Sequence, residues 1–482
     1  MYSAVRLLHF SDGHPLSAQF PADMQLPHIL QEKTIAYLLR PCTKEELLHR
    51  QELFILLWDD RNALLLRELL SDLHSLSITL DLLSAPESEF ERLYQHYLLL
   101  GQYLGLCEHL TSLSFLGAPF LRLAQTLSTP EQLTFREAVR SAYDRADTLF
   151  AGLRQGILSF SSSATLMKNR DAESLCDTLC RQISSLGISL PARTDLRIRV
   201  NRTLSNAITE QYPMEIAEIT GLLSVYPPEL LSTPLELIDD LKFILDISAL
   251  ILRGRAAGLP VCIPQISDHP LFRAEAAADP SLLAKEDAQI VPNDIRLEPG
   301  SPFAFLVGAN GGGKTTYLRT IGINFLLFRA GCPIFARSAE IYPFPYAAAH
   351  FPTDERFSGV GRLQDEHLRL NSILASAAVP SLLLLNETFS GTDAARGFRY
   401  LCDTAEMIKA TGHFGVWVTH FHEVTDLGFP ILTAEIDPQD ENRRTYRITS
   451  GGSGHSSFAA DILRKYRLDP ESLKKRGVRN VL

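Results

Sequence analysis

The stretch Gly308–Thr320, GANGGGKTTYLRT, sets a lysine and two hydroxyls directly behind a run of glycines. Gly308, Gly313, Lys314 and Thr315 satisfy the pattern G-x-x-x-x-G-K-[ST] in full. That spacing suits one chemistry, the holding of a triphosphate. Glycines let successive backbone N–H groups turn inward around phosphate oxygens, and a helix N-terminus adds its partial positive charge. Lys314 reaches the β- and γ-phosphates, and Thr315 offers its hydroxyl to Mg²⁺. The flanks agree: the apolar run FAFLV (303–307) enters, and TTYLRTIGINFLLFRAG leaves as a helix that closes at Gly331, before Pro333. ATP and Mg²⁺ are the implied cofactors.

A second segment, LLLLNETFSGTD (382–393), carries the chemistry further. In P-loop ATPases the acid at a strand end positions Mg²⁺, and the acid after it polarises the attacking water. Those places hold Asn386 and Glu387. Asparagine keeps a carbonyl oxygen at the same reach but loses the charge, and a hard cation prefers charged oxygen. The expectation is weakened turnover rather than none. In GVWVTHFHE, His420 falls at the end of another buried strand, where α/β ligand sites gather, and can sense the γ-phosphate. His422 reads as structural.

Elements must bring these residues together. FAFLV, LLLLN and GVWVT are continuous apolar runs of strand length, as in a parallel sheet covered on both faces, and they alternate with helical stretches. PILTAEI and RRTYRITSG add further strands, and SSFAADILRKYRL and PESLKKRG read as closing helices. Upstream, residues 26–153 show leucines at spacings of three and four, which is core packing between helices. Thr43 and Glu46 form a capping box behind Pro41. PLELIDDLKFILDISALILRGRAAGLP reads as a long helix stopped by Gly258 and Pro260. Between 156 and 228 the texture turns loop-like, with a short alternating strand in DLRIRVNRTL. Arg193, Arg197, Arg199 and Arg202 cluster there; such a run is either a solvated face or a nucleic-acid contact.

A formal net charge of −10 argues against a uniformly basic nucleic-acid coat, while leaving a local patch open. Seven scattered cysteines offer no disulfide framework or CxxC pair, which points to reduced, cytoplasmic thiols. Cys176 and Cys180 read as packed thiols rather than metal ligands. The start of the chain shows no signal peptide, and no apolar run is long enough to span a bilayer.

The motifs carry a resemblance to the MutS family of mismatch-repair ATPases. GANGGGKTTYLRTIG resembles the family's phosphate loop, which brings in Asn310, Gly311, Gly312 and Thr316 as nucleotide contacts. NETFSGTDAARG resembles its Walker B segment and following loop, with Glu387, Gly391, Thr392 and Gly397 at matching places. VTHFHEV resembles its switch segment at Thr419, His420 and Glu423. DHPLF and VPNDIRL resemble the lead into the ATPase domain, LLRPCTKEELLHRQELFILL the start of the helical lever, and residues 446–476 the closing segment. The resemblance implies an α/β P-loop ATPase domain (261–482, mostly parallel sheet, ABC/MutS-like) preceded by a mainly α-helical core or lever domain (1–260) with a short clamp-like insertion near 156–228. It further implies a homodimer closed by ATP through the ATPase domains, and duplex or branched DNA as partner.

Departures qualify that picture. The chain starts almost at the lever, so no mismatch-reading or connector domain has room, and DNA shape rather than a mispair becomes the expected target. The clamp is reduced to about Leu190–Tyr212, and no Smr-type nuclease region follows. The family's Ser-Thr-Phe signature, which acts in trans, aligns with Gly361, Arg362 and Leu363; Ser358 and Gly359 precede it and Glu366 matches an acid after it. Asn386 replaces the Walker B aspartate. A nucleotide-gated interaction protein with little hydrolysis and no DNA role is the competing reading. An ABC- or SMC-like ATPase is disfavoured by the lack of an LSGGQ-like segment and of long heptads.

Overall fold

The computed structural model describes residues 6–8, 16, 19–86, 88–160, 206, 208–285, 288–351, 362–376, 379–389, 394–437 and 440–451. Two compact units emerge: Met1–Leu7 with Trp58–Lys242, and Leu8–Leu57 with Phe243–Leu482. The sequence reading placed a single boundary at 260, whereas the observed division is discontinuous in sequence. The arginine cluster at 193–202, most of the clamp-like stretch, residues 352–361, Ser390–Asp393 and the closing segment beyond 451 lie outside the described residues.

Helices α1 (Gln19–Asp23), α2 (Glu32–Leu38) and α3 (Lys44–Leu56) belong to the second unit. The capping box at the start of α3 is formed: Thr43 N donates to Glu46 Oε2 at 2.6 Å, and Glu46 N to Thr43 Oγ1 at 3.2 Å. The first unit is built, among the described residues, from α4 (Asp60–Ser84), α5 (Glu89–Ser112), α6 (Ala118–Leu127), α7 (Pro130–Phe160), α8 (Pro213–Ser224) and the short α9 (Pro228–Leu231). Helix α10 (Leu237–Ala256) contains the boundary between the units.

The leucine stripes are core, as their spacing requires. Leu66, Leu69, Leu73 and Leu76 of α4 are buried, as are Val139, Ala142, Ala146, Phe150 and Leu153 of α7, each series repeating at three or four. Both helices pack on α5. Gly101 of α5 makes room for Tyr143, since a Cβ there would lie 2.7 Å from its ring. Tyr97 stacks on Tyr143 at 4.9 Å and donates its hydroxyl to Asp147 Oδ1 at 2.7 Å, so its polar tip is satisfied inside the bundle.

The second unit holds two sheets. The smaller has the order β1 (Gln265–Ile266), β5 (Ser338–Ile341), β2 (Phe272–Ala277), β3 (Asn293–Leu297), with β2 antiparallel to both neighbours. Sequence reading did not foresee it. The signal was alternation: Phe272 and Ala274 are buried while Arg273 and Glu275 are exposed, the half-buried strand pattern. The larger sheet runs β10 (Asp440–Ser450), β9 (Ile431–Asp437), β4 (Phe303–Val307), β8 (Phe414–Val418), β7 (Ser381–Asn386), β6 (Tyr346–His350). All its pairings are parallel except β9–β10.

Strands β4, β7 and β8 are buried at every residue, which explains their unbroken apolar sequences. On one face lies α13 (Ala394–Thr411), which inserts Leu401, Ala405 and Ile408 against Phe305, Leu383, Leu385 and Trp417. Helix α11 (Lys314–Arg329) is buried at every residue from Thr320 to Arg329. Residues of the N-terminal segment help cover it. A Cβ on Gly322 would lie 2.2 Å from Met24 Sδ, Arg329 Nη1 donates to Leu39 O at 3.2 Å, and Arg50 Nη1 donates to Ala330 O at 3.4 Å. These contacts are the physical reason that Leu8–Leu57 groups with the α/β unit. Helix α12 (Arg362–Ser376) completes the set. No helix among the described residues is long and apolar enough to cross a membrane.

Gly415 is the second residue of β8, between Phe303 of β4 and Leu383 of β7. A Cβ there would sit 1.9 Å from Leu383 O. Gly415→Ala is expected to destabilise the second unit by about 3 kcal/mol, from backbone strain and overpacking together, as read by urea unfolding followed at the buried Trp417.

Candidate functional site

Because β4, β8 and β7 are parallel neighbours, their carboxyl ends open on the same edge of the sheet. That edge is where ligands bind in open α/β sheets, since loops leaving it converge. After β4 the chain enters the glycine loop. Gly308, Gly311 and Gly313 stand at φ of 127°, 73° and 92°, a region closed to most side chains. Gly308 has a second reason to be glycine: a Cβ would press to 3.1 Å from Ala434 N and O on β9.

Lys314 opens α11 and is only 4% exposed. Its Nζ donates to Gly308 O at 2.7 Å, Ala309 O at 3.1 Å and Asn310 Oδ1 at 3.4 Å, so the ammonium is held under the loop. Burial lowers its pKa; Glu387 opposes that and Arg444, from β10, reinforces it. Next to it, Thr315 Oγ1 donates to Asn386 Oδ1 at 3.2 Å. Thr316 lies in the same first turn and Gly312 is buried beneath Ala434.

Where β7 ends, Glu387 turns into left-handed backbone at φ 50° and donates its N–H to Val418 O at 2.8 Å. Its Oε1 meets His420 Nε2 at 2.9 Å, just past the end of β8. Glu387 and His420 are each 29% exposed in their side chains, open enough to meet a ligand. The hydrogen bond from His420 holds the Glu387 carboxyl below the ordinary glutamate range, with help from the charges of His420 and Lys314 and against the cost of burial.

The structure therefore brings together Gly308, Asn310, Gly311, Gly312, Gly313, Lys314, Thr315, Thr316, Asn386, Glu387 and His420. Three features escaped the sequence. Arg444 of β10 adds positive charge near enough to act on Lys314, foreshadowed only by the Arg443–Arg444 doublet. Tyr446, at φ 58°, lies on Gly313, its Cδ1 3.5 Å from where a Cβ would be. Thr388 Oγ1 and the buried His350 Nδ1 are 3.0 Å apart behind the Glu387 turn. No spacing rule links His350 to Thr388, because pairing of β6 with β7 creates the contact.

Residues 304–440 match MutS domain V. The likeness to the MutS family is carried by this segment, less than a third of the chain. A DNA mismatch repair protein of Neurospora crassa, msh-2, is 34% identical over 154 residues, which is 31% of this chain and 16% of that protein. The DNA mismatch repair protein MSH2 of Saccharomyces cerevisiae is 32% identical over 179 residues, 36% of this chain and 18% of its own. Endonuclease MutS2 of Gemmatimonas aurantiaca is 27% identical over 243 residues, 48% of this chain and 29% of its own. The matched part thus spans less than a third of each of these MutS relatives. It covers β4, the glycine loop, the β7 turn and His420, so the MutS likeness and the site geometry concern the same residues.

The depressed carboxyl has a pH consequence with a fixed sign. Its stabilising contribution is complete above the ordinary glutamate pKa of about 4.3 and is lost as pH falls through the lower folded value. The difference in unfolding free energy between wild type and Glu387→Gln is therefore expected to shrink as pH is lowered from about 5 to about 3.5, measured by urea titration at each pH.

Proposed function

We propose that the chain binds and hydrolyses ATP at the carboxyl edge of the β4–β8–β7 strands and couples nucleotide state to DNA engagement. The observation that carries this reading is the meeting of Lys314, Thr315 and Glu387–His420 around one glycine loop. Lys314 takes the β- and γ-phosphate oxygens, and backbone N–H groups of 310–315 surround them. Glu387, held ionised, accepts a proton from the water that attacks the γ-phosphorus, as the bond to the β–γ bridging oxygen breaks. His420 orients Glu387 and senses the γ-phosphate.

The residues also fit a Mg²⁺ ion. Thr315 Oγ1 and Asn386 Oδ1 are 3.2 Å apart, close to the separation of about 3 Å between neighbouring oxygens of a Mg²⁺ shell with bonds of about 2.1 Å. The metal supplies charge neutralisation on the phosphates. Asn386 accepts a hydrogen bond or faces the ion as a neutral oxygen, which weakens the hold that an aspartate would give.

Two ATPase domains closing across a homodimer, with duplex or branched DNA as the engaged partner, is the assembly we propose. The likeness to DNA mismatch repair proteins supports DNA as partner. Asn386 and the net charge of −10 favour a second reading, a nucleotide-gated scaffold with little hydrolysis.

Steady-state hydrolysis with Lys314→Ala as the blank separates them. Turnover above the blank that changes with duplex or branched DNA supports the first; ATP binding without turnover supports the second. Glu387→Gln is expected to lower kcat by roughly 10²-fold or more while ATP still binds. Asn386→Asp is expected to move the Mg²⁺ titration about tenfold toward lower concentration, and an unmoved titration would overturn the role given to Asn386. DNA retention is expected to weaken steadily as salt rises.

A further inference from the structure

The turn after β7 carries two residues in left-handed backbone, Glu387 at φ 50° and Phe389 at φ 67°. Neither is glycine, and a non-glycine residue stays there only where its surroundings over-determine it. Thr388 is tied to His350, and the Glu387 N–H to Val418 O. Phe389 is buried, its ring 6.1 Å from Trp417 and 5.7 Å from Tyr400, and a Cβ on Gly397 would come within 2.4 Å of its carbonyl oxygen. Those contacts fix the side chains and the carbonyl. A second backbone donor of the turn, Phe389 N–H, is taken at 2.9 Å by Glu366 Oε2.

Glu366 is 8% exposed and lies on α12, far from Phe389 in sequence. Hydrogen bonds from a backbone N–H to a carboxylate are roughly twice as strong as neutral ones, and removing the acceptor leaves a buried donor unsatisfied. The helix is itself anchored, because Leu370 is fully buried and Arg369 Nη2 lies 3.7 Å from Asp23 Oδ2. Glu366 is thus a fixed post to which the third residue of the turn is tied.

We propose that Glu366 is a positioning residue: through the Phe389 amide it holds the left-handed turn that aims the Glu387 carboxylate at the phosphate site, so the placement of α12 sets the rate of hydrolysis. The inference rests on the ATPase reading above and adds a residue that acts through Glu387. A misplacement of about 1 Å in a catalytic group can cost 10²-fold in rate, whereas ground-state binding of ATP depends on the glycine loop and Lys314.

The test uses the full chain with Glu366→Ala and Glu366→Gln, ATP stoichiometry serving to normalise for folded protein. Glu366→Ala is expected to lower kcat per bound ATP by roughly 10- to 100-fold, with the ATP Kd within about twofold of wild type and faster hydrogen exchange at the Phe389 amide. Glu366→Gln keeps an acceptor oxygen and is expected to restore most of both. Unchanged kcat per bound ATP in Glu366→Ala, or a glutamine variant as slow as the alanine one, overturns the proposal. If the alanine variant does not fold, Glu366→Asp replaces it, its carboxylate one methylene short; turnover equal to wild type then overturns the proposal. Wild-type protein that binds ATP without turnover defeats the ATPase reading instead. In that case ATP must slow exchange at Phe389 in wild type and not in the variant, and equal exchange in both sinks the positioning role.

Discussion

Burial of β4, β8 and β7 on both faces is the constraint on which the site depends. A parallel strand covered on both faces has one place to present polar groups, its end. Each of the three strands runs apolar to its last residues and then releases chemistry: the glycine loop after Val307, Asn386 and Glu387 after Leu385, His420 after Val418. Hydrogen bonding across the sheet sets the spacing of these ends, so Glu387 N–H reaches Val418 O and Thr419 N–H reaches Leu306 O. The acid, the histidine and the loop are positioned by backbone pairing before any side chain contributes.

Glycine placement is the cost of packing backbone that closely. Gly308 against Ala434, Gly415 against Leu383 O and Gly397 against Phe389 O are three approaches that a methyl group would obstruct. Gly308 and Gly397 make theirs beside the site, against β9 and the β7 turn, while Gly415 makes its own toward the amino ends of β4 and β8. A site held this way has little freedom to shift as one piece, so the groups able to respond to ligand are those with partial exposure, Glu387 and His420. Their contact at 2.9 Å couples the Glu387 carboxylate to the histidine beside it.

Much of this was legible in the residues. The glycine loop, the helix behind it, the three apolar strands and the capping box at Thr43 follow from local rules of spacing, because each depends on neighbours within a few positions. The smaller sheet is equally local in its alternation at Phe272–Ala277, but its strands are short and carry charge, which weakens the signal. Contacts such as Glu366 with Phe389 and His350 with Thr388 join separate elements of the chain, and no periodicity announces them.

The sequence by itself determined the chemistry available: a glycine loop, a lysine, a hydroxyl, an amide in place of an acid, a glutamate and a histidine, each at a strand end. Tertiary structure decided which of them act together and in what electrostatic state. Strand order puts β8 between β4 and β7, which brings His420 to Glu387 and lowers its carboxyl pKa. It also decided that Leu8–Leu57 belongs with the α/β unit, because Met24, Arg50 and Leu39 meet α11 and the turn after it. Spacing encodes the first kind of fact, since backbone geometry repeats along the chain. The second kind needs surfaces that meet only when distant segments fold onto one another.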